Sequence, residues 1–486
     1  MQAMRNAAQY GLIAFALLLA LLIRIVPLTY SHFWDETVYL QHARVILDGR
    51  ADYEELSYRP PFLSLIYALG FALWNNIFVA NLVQGVITTI AVVFMFLLMR
   101  PMFGLAAAVF GALLLAFTPY FVIASHDLLT DMPAVALMIA AMWLFDKQGS
   151  RYAIVSGVVY ALAIQTRFTS LFLLAYFVVN TLFFPRNIRR LAAFLAGAAA
   201  AMIPYLSWAL WNFGSAFLPF IQARKIVTQW TAPNPPSLYT GALLQIFPYS
   251  MWVCFGIGIL LPVARWVQNF SSLHAHRPHF TLNTQSKRRT VLLIWGGAFL
   301  IDMLSIPHKE VRYLLPLLIP VVIISALGAT EIFRWCRRQG TVLKVVTLLV
   351  GLIIVVMDYG PSLQKLREPW VDWTESEEVH IGNYLRDVST PNDTIYAAHN
   401  FPVFAFYSER RTVSLLPIQE TFDDVWRDAM KEPGFLVYYV PAGINETHAL
   451  KPVFKPDLKF IEANHEFQFV RGFSRAVVYR YEPASH

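Results

Sequence analysis

The sequence predicts a polytopic α-helical membrane protein with a C-terminal extracytoplasmic α/β domain, and three observations carry that prediction. Apolar runs of about 20 residues recur, each long enough to cross a bilayer as a helix. Of 486 residues, 57% are hydrophobic and only 14% charged, with a mean hydropathy of +0.50. After Met357 the composition changes to mixed polar and apolar. Core helices of a soluble protein are a poor alternative, because too many runs are apolar all round rather than along one stripe.

The first expected span is 11–30. The segment 61–74 enters the membrane in part or runs on into the next span, 78–98. Spans follow at 104–123, 132–145, 152–165, 168–184, 191–211, 240–263, 291–307, 313–333 and 342–357. The length rule gives about eleven crossings, so residues 1–357 form the membrane domain. Residues 358–486 read as a soluble domain of roughly 125 residues. In it 375–388 has helical character, and 394–397, 412–415, 435–440 and 476–481 are strand-like runs of β-branched and aromatic residues.

Orientation follows from the distribution of cations. Arg5, Arg100, Lys147, Arg151, Arg186, Arg189, Arg190, Arg265, Lys287, Arg288, Arg289, Arg334, Arg337 and Arg338 fall in one alternating set of loops. The first loop of the other set offsets Arg44, Arg50 and Arg59 with six acids between Asp35 and Glu55. The N-terminus is therefore expected in the cytoplasm, and the C-terminal domain outside a plasma or inner membrane. The formal net charge of +7 follows from this bias and implies no nucleic-acid partner. The first span lacks a small-residue cleavage site and reads as a retained helix. Cys254 and Cys336, inside or at the end of spans, imply neither a disulfide framework nor a zinc site. Asn392-Asp-Thr394 and Asn445-Glu-Thr447 are glycosylation sequons in the outer domain.

On this topology four groups share the outer face. Asp35-Glu36 follows the first span, and a carboxylate there can accept the proton of an attacking hydroxyl. The apolar spacing of Val38, Ala43, Val45 and Ile46 suits a helix lying at the membrane interface. His308-Lys-Glu-Val-Arg-Tyr313 places four ionisable groups in five positions between two apolar runs. A snorkelling cluster would explain Lys309 and Arg312 but not their alternation with His308 and Glu310. Lys309 can hold a phosphate as a point charge, and Arg312 as a fork.

His126-Asp127-Leu-Leu-Thr-Asp131-Met-Pro133 offers two acids. Asp131 also reads as a helix start with Pro near the first turn. His126 and Asp127 could orient a substrate, and two such ligands are too few for a metal site. Arg167 is a lone cation between short spans, suited to a phosphate or to anchoring topology. Arg59, in the rigid Tyr58-Arg-Pro-Pro61, could reach the same site. These residues fit glycosyl transfer from a polyprenyl-phosphate sugar. The leaving phosphate is a weak base stabilised by cations, the acceptor hydroxyl needs a base, and direct displacement inverts the anomeric centre.

The chain resembles the GT-C superfamily of polytopic glycosyltransferases. Phe33-Trp-Asp-Glu-Thr-Val-Tyr-Leu40 stands where those enzymes carry an acidic pair in the first outer loop. Tyr58-Arg-Pro-Pro61 and Thr130-Asp-Met-Pro133 are similar to the protein O-mannosyltransferase and aminoarabinose-transferase branch. His308-Lys-Glu-Val-Arg-Tyr313 is similar to the signature of dolichyl-phosphate-mannose-dependent mannosyltransferases. The resemblance extends to about Phe333. It implies an undecaprenyl- or dolichyl-phosphate-linked monosaccharide donor, most readily a mannose-like hexose, and a glycan, lipid or protein acceptor. Asp35, Glu36 and Asp131 would be catalytic. Lys309, Arg312, Arg167 and Arg59 would hold the donor phosphate, with His308, Glu310, His126 and Asp127 orienting substrate. Divalent metal is not generally required in the nearest branches. The sequence lacks the Trp-Trp-Asp motif of oligosaccharyltransferases, which disfavours transfer of a whole oligosaccharide. A transporter or lipid flippase is the rival class. It calls for charges near mid-span, for which Arg24 and Asp302 are the candidates, and for paired halves, yet no repeat is present. A non-catalytic scaffold for the outer domain would not need the clustered acids and cations.

Overall fold

The computed structural model describes residues 2–26, 34–48, 58–185, 188–228, 233–271, 283–371, 376–397, 400–415, 429–439 and 458–483. In chain order its labelled helices are α1 (Gln2–Ile25), α2 (Trp34–Asp48), α3 (Phe62–Leu73), α4 (Ile77–Phe103), α5 (Leu105–Phe117), α6 (Pro119–Ala124), α7 (Asp131–Asp146), α8 (Ser150–Thr166), α9 (Leu173–Phe183), α10 (Ile188–Phe213), α11 (Leu218–Thr228), α12 (Ser237–Ile246), α13 (Tyr249–Ser271), α14 (Thr284–Ser305), α15 (Leu318–Arg338), α16 (Thr341–Val371), α17 (Glu377–Val388) and α18 (Phe401–Ser408). Contacts divide the chain into two compact units. The first comprises Met1–Pro27, Leu56–Leu63 and Asn81–Val371; the second comprises Leu28–Glu55, Ser64–Ala80 and Asp372–His486.

The first unit is a helical bundle. Among the described residues, four helices are long and apolar enough to cross a membrane, or five if the bent pair α12 and α13 counts as one. Several runs expected as single crossings are interrupted. The run 104–123 breaks at Thr118-Pro119, where proline opens α6. The run 240–263 is not a straight helix: α12 and α13 meet at 96°, where Pro248 supplies no N–H to continue the ladder. The runs 168–184 and 313–333 begin in 3-10 turns, Phe168–Phe172 and Val311–Leu317.

Within the run Val311–Arg338, 89% of the apolar window is buried, against none for Thr341–Tyr359. α15 is therefore central and α16 peripheral, presenting Val342, Ile353 and Met357 outward. Two helix pairs cross backbone to backbone at glycines, as small residues allow in membranes. A Cβ on Gly157 would lie 1.9 Å from the Phe194 carbonyl oxygen, and one on Gly328 would lie 1.8 Å from that of Cys254. Helix α7 is tied at both ends, by Asp131 to Arg167 and by Asp146 to Arg288 at 3.2 Å. Asp358, inside α16, accepts from Tyr249 N at 2.9 Å and Ser250 N at 2.6 Å, capping the start of α13.

The two groups named for a transporter lie near helix ends. Arg24 sits in the last turn of α1 and donates to the Ala20 and Ala116 carbonyls at 2.9 and 2.7 Å, tying α1 to α5. Asp302 lies near the end of α14, 3.9 Å from Arg224.

The second unit is α/β. Its sheet has the order β2-β1-β3-β5-β4, with β1 (Thr394–Ala397), β2 (Thr412–Ser414), β3 (Gly434–Tyr439), β4 (Phe467–Gly472) and β5 (Ala476–Tyr481). β2, β1 and β3 are parallel, and β5 and β4 continue antiparallel. Strand alternation sends Ile395, Phe435, Val437 and Val478 to a core shared with α17 and α18. Tyr396, Leu436, Tyr479 and Tyr481 face a second core with Ile461 of the helix Leu458–Ala463.

α18 is buried along its whole length. α2 packs against it, with Trp34 edge-on to Phe401 at 4.6 Å. Arg44 donates to the Phe406 carbonyl at 2.9 Å and pairs with Glu409 at 3.0 Å. Most of α2 is buried, so the expected interfacial helix over Val38–Leu47 is instead a packed element of this unit. Asn445 and its sequon lie outside the described residues; Asn392 is exposed.

Candidate active site

At one end of the bundle the first unit gathers the charged groups of three chain segments. Asp131 opens α7 and is 4% exposed. Arg167 follows α8 in an extended conformation (φ −153°) that breaks the helix and releases its side chain. Its Nη1 donates to Asp131 Oδ2 at 3.0 Å and to Thr130 Oγ1 at 3.3 Å. The same guanidinium lies 5.2 Å from the Tyr313 ring centroid, a cation–π distance.

Tyr313 leads to the second centre. Its hydroxyl donates to Glu310 Oε1 at 3.2 Å, and His308 Nε2 meets the same oxygen at 2.9 Å. Arg312 Nε donates to Glu310 Oε2, and its guanidinium also lies beside Tyr313, 6.0 Å from the ring centroid. Glu310 is thus a hub for three motif residues, and two guanidinium groups share one tyrosine ring. Tyr120 of α6 is within electrostatic reach of Asp127, Asp131, Arg312 and Glu310. Tyr239 of α12 is within reach of Glu310 and Arg167.

Lys309 has a different environment. It is 6% exposed, and its Nζ donates to the carbonyls of Ile306 and Asn234 at 2.6 and 3.2 Å. Asn234 Oδ1 accepts from Lys309 N at 2.9 Å, and Asn234 N donates to the Pro307 carbonyl at 3.0 Å. His308 N donates to Val227 O at 3.2 Å. The motif is therefore strapped to the chain between α11 and α12, with the ammonium group inside the strap.

Gln84 of α4 fixes the loop before α7, donating to the Asp127 and Leu129 carbonyls at 2.7 and 3.0 Å. His126 turns to α1, near Ile23 and Arg24. Burial outweighs a hydrogen bond to the Ile23 backbone and, with the Arg24 charge adding to it, pushes its imidazole pKa down to about 4. Arg59 sits in the turn before α3, 5.5 Å from the Tyr58 ring centroid. Asp35 and Glu36 belong to the second unit, in the first turn of α2. Glu36 is buried in the field of Tyr67, whereas Asp35 is half-buried.

The structure thus joins Asp131, Arg167, Glu310, His308 and Arg312 and sets Asp127 beside them. Sequence reasoning missed Gln84, Tyr120, Asn234, Tyr239 and the bridging role of Tyr313. Two amides, Asn81 and Gln84, in an otherwise apolar run are a usable signal for Gln84, as is an asparagine between prolines for Asn234. Nothing local marks the tyrosines. Among the described residues no group of three or more His, Cys, Asp or Glu side chains is placed to hold a metal ion.

The chain has counterparts in fold among known proteins. A family model described as dolichyl-phosphate-mannose-protein mannosyltransferase matches residues 58–211, a stretch that contains Arg59, His126, Asp127, Asp131 and Arg167. No curated protein matches the chain. ArnT from Cupriavidus metallidurans, crystallised with undecaprenyl phosphate, superposes with a TM-score of 0.66 at 14% identity over 98% of both chains. The Archaeoglobus fulgidus oligosaccharyltransferase, tethered to an acceptor peptide, superposes with a TM-score of 0.64 at 11% identity, covering 99% of this chain and 75% of that one. AglB from the same organism, in complex with an inhibitory peptide and a dolichol-phosphate, gives 0.61 at 12% identity over 98% and 74%. The protein is a polytopic membrane protein with a small α/β domain at its C-terminus. Its fold is that of the GT-C glycosyltransferases.

Proposed function

We propose that this protein is an integral-membrane glycosyltransferase. It moves one sugar, a mannose-like hexose, from a polyprenyl-phosphate donor to a hydroxyl on a glycan, lipid or protein at the extracytoplasmic face. The observation that carries this reading is the pair of guanidinium groups, Arg167 and Arg312, flanking Tyr313 in a GT-C fold. Each has a carboxylate partner, so the cations are held in place before a phosphate arrives. Arg167 and Arg288 bind opposite ends of α7, which is about 24 Å long at 1.5 Å per residue. That separation, with Arg288 in the cation-rich loop set, supports placing Arg167 outside.

In the reaction, the acceptor oxygen forms a bond to the anomeric carbon as the bond from that carbon to the phosphate oxygen breaks. The electron pair stays on the polyprenyl phosphate, whose charge becomes more negative, and the configuration inverts. The acceptor proton passes to Asp35, with Glu36 orienting it. Arg312 and Arg167 stabilise the growing phosphate charge, worth about 2–4 kcal/mol for such a contact, with Arg59 as helper. Asp131 acts through Arg167. Lys309 supports the phosphate site by holding the motif strap. His308 and Glu310 orient Arg312, and His126 and Asp127 shape the neighbouring loop.

The test is sugar transfer from radiolabelled lipid extract by purified protein. Asp35→Asn should lower turnover by about 10²–10⁴-fold, the usual contribution of a general base, while lipid-donor binding persists. Near-normal turnover in that variant would remove Asp35 from the role. Movement of labelled lipid across vesicles without any transfer would favour the flippase instead.

A further inference from the structure

In the second unit, α17 and the tight turn joining β4 to β5 flank an open surface cleft of about 580 Å³. Glu377, His380, Tyr384 and Asp387 line it at helical spacing, on a different face of α17 from the buried Ile381 and Leu385. Arg471 and Phe473 line the other wall.

The walls are ordered. Ser474 Oγ and Arg475 N donate to the two Glu377 oxygens at 2.6 and 2.8 Å, clamping the turn to the helix. These bonds outweigh the effect of burial and hold the Glu377 carboxyl below the usual carboxylate range. The Tyr384 and Phe473 rings meet edge to face at 5.6 Å. The Arg471 guanidinium lies over both, at 4.7 and 5.0 Å from their centroids. A register shift between Phe469 and Arg471 disturbs the pairing of edge strand β4 just before this position, and such bulges re-aim side chains.

The geometry points to a saccharide-binding site on the C-terminal domain, for a neutral oligosaccharide of hexopyranose units. The cleft sets the Asp387 carboxylate among guanidinium, imidazole and amide groups beside an aromatic wall. A sugar matches that mixture, with hydroxyls that donate and accept and a C–H face that packs on a ring. The polar lining disfavours a lipid tail. This inference does not rest on the transfer reading, since a sugar can bind here whether or not the membrane unit is catalytic.

The experiment is saturation-transfer NMR on the full-length protein in detergent, with maltotriose and mannotriose as probes. At least one should bind with a Kd on the order of 1 mM, equivalent to about 4 kcal/mol. Tyr384→Ala and Arg471→Ala should each weaken binding about tenfold or more. Asp387→Asn, at an exposed residue, should weaken it without disturbing the fold, so the test survives if the aromatic variant misfolds. Absence of binding for both sugars, or binding unchanged in Arg471→Ala and Asp387→Asn, overturns the assignment.

Discussion

Replacing Asp131 by alanine removes a carboxylate 3.0 Å from Arg167, in a pair whose side chains are 4% and 15% exposed. An exposed pair of this kind contributes about 0–1 kcal/mol. At this distance and an effective dielectric of about 20, the gross attraction is about 5.5 kcal/mol. Burial makes the loss of one partner costly, at about 3–5 kcal/mol, because the other charge remains without its counter-ion. Asp131→Ala and Arg167→Met should therefore each destabilise the first unit by that amount. The double variant should cost about 2–3 kcal/mol less than the sum, since it leaves neither charge behind. Unfolding in graded SDS at fixed detergent, followed by tryptophan fluorescence, reads all three. Single losses under about 1 kcal/mol that simply add would refute the reasoning and make the pair an ordinary surface contact.

Four further outcomes follow from particular contacts. Arg312→Lys keeps the charge but loses the fork bonded to Glu310, so transfer should fall at least tenfold, with Arg312→Ala lower still; steady-state kinetics with the lipid donor decides, and equal rates for parent and alanine variants would leave the motif as a topological anchor. Asp358→Ala removes two bonds to the start of α13 and should cost about 1–2 kcal/mol in the same SDS titration. Burial raises the Asp393 pKa, but bonds from Thr390 and Arg480 outweigh it and depress the value. Its stabilisation is thus present above the unfolded value of about 3.9 and lost as pH falls through the lower folded value; Asp393→Asn should lower the Tm at pH 7 and flatten the acid limb of a Tm-against-pH series. An impermeant maleimide should label a cysteine at Ser362, and one at Ser57 outside the described residues, but not one at Ser286; the reverse pattern would invert the proposed orientation.

The class of protein was legible in the sequence because hydropathy and strand period are local. Long apolar runs marked the membrane helices, and Thr394–Ala397 and Ala476–Tyr481 emerged at the expected strand boundaries. α18 escaped notice because Phe401–Ser408 is apolar on every side and buried on every side, leaving no amphipathic stripe to read. The residue types of the site were legible too, as charges where the bilayer makes charge costly. Their pairings were not. Arg167 meets Asp131 across 36 positions of chain, Lys309 reaches Asn234 across 75, and Asp358 caps α13 across 109. α2, which reads as an interfacial helix, is held instead by Arg44 to a segment more than 360 residues away. Hydropathy fixes which residues avoid water or lipid within a few turns of chain. Which carboxylate answers which cation depends on where helices cross and bend, and only tertiary packing at Pro248, Gly157 and Gly328 decides that.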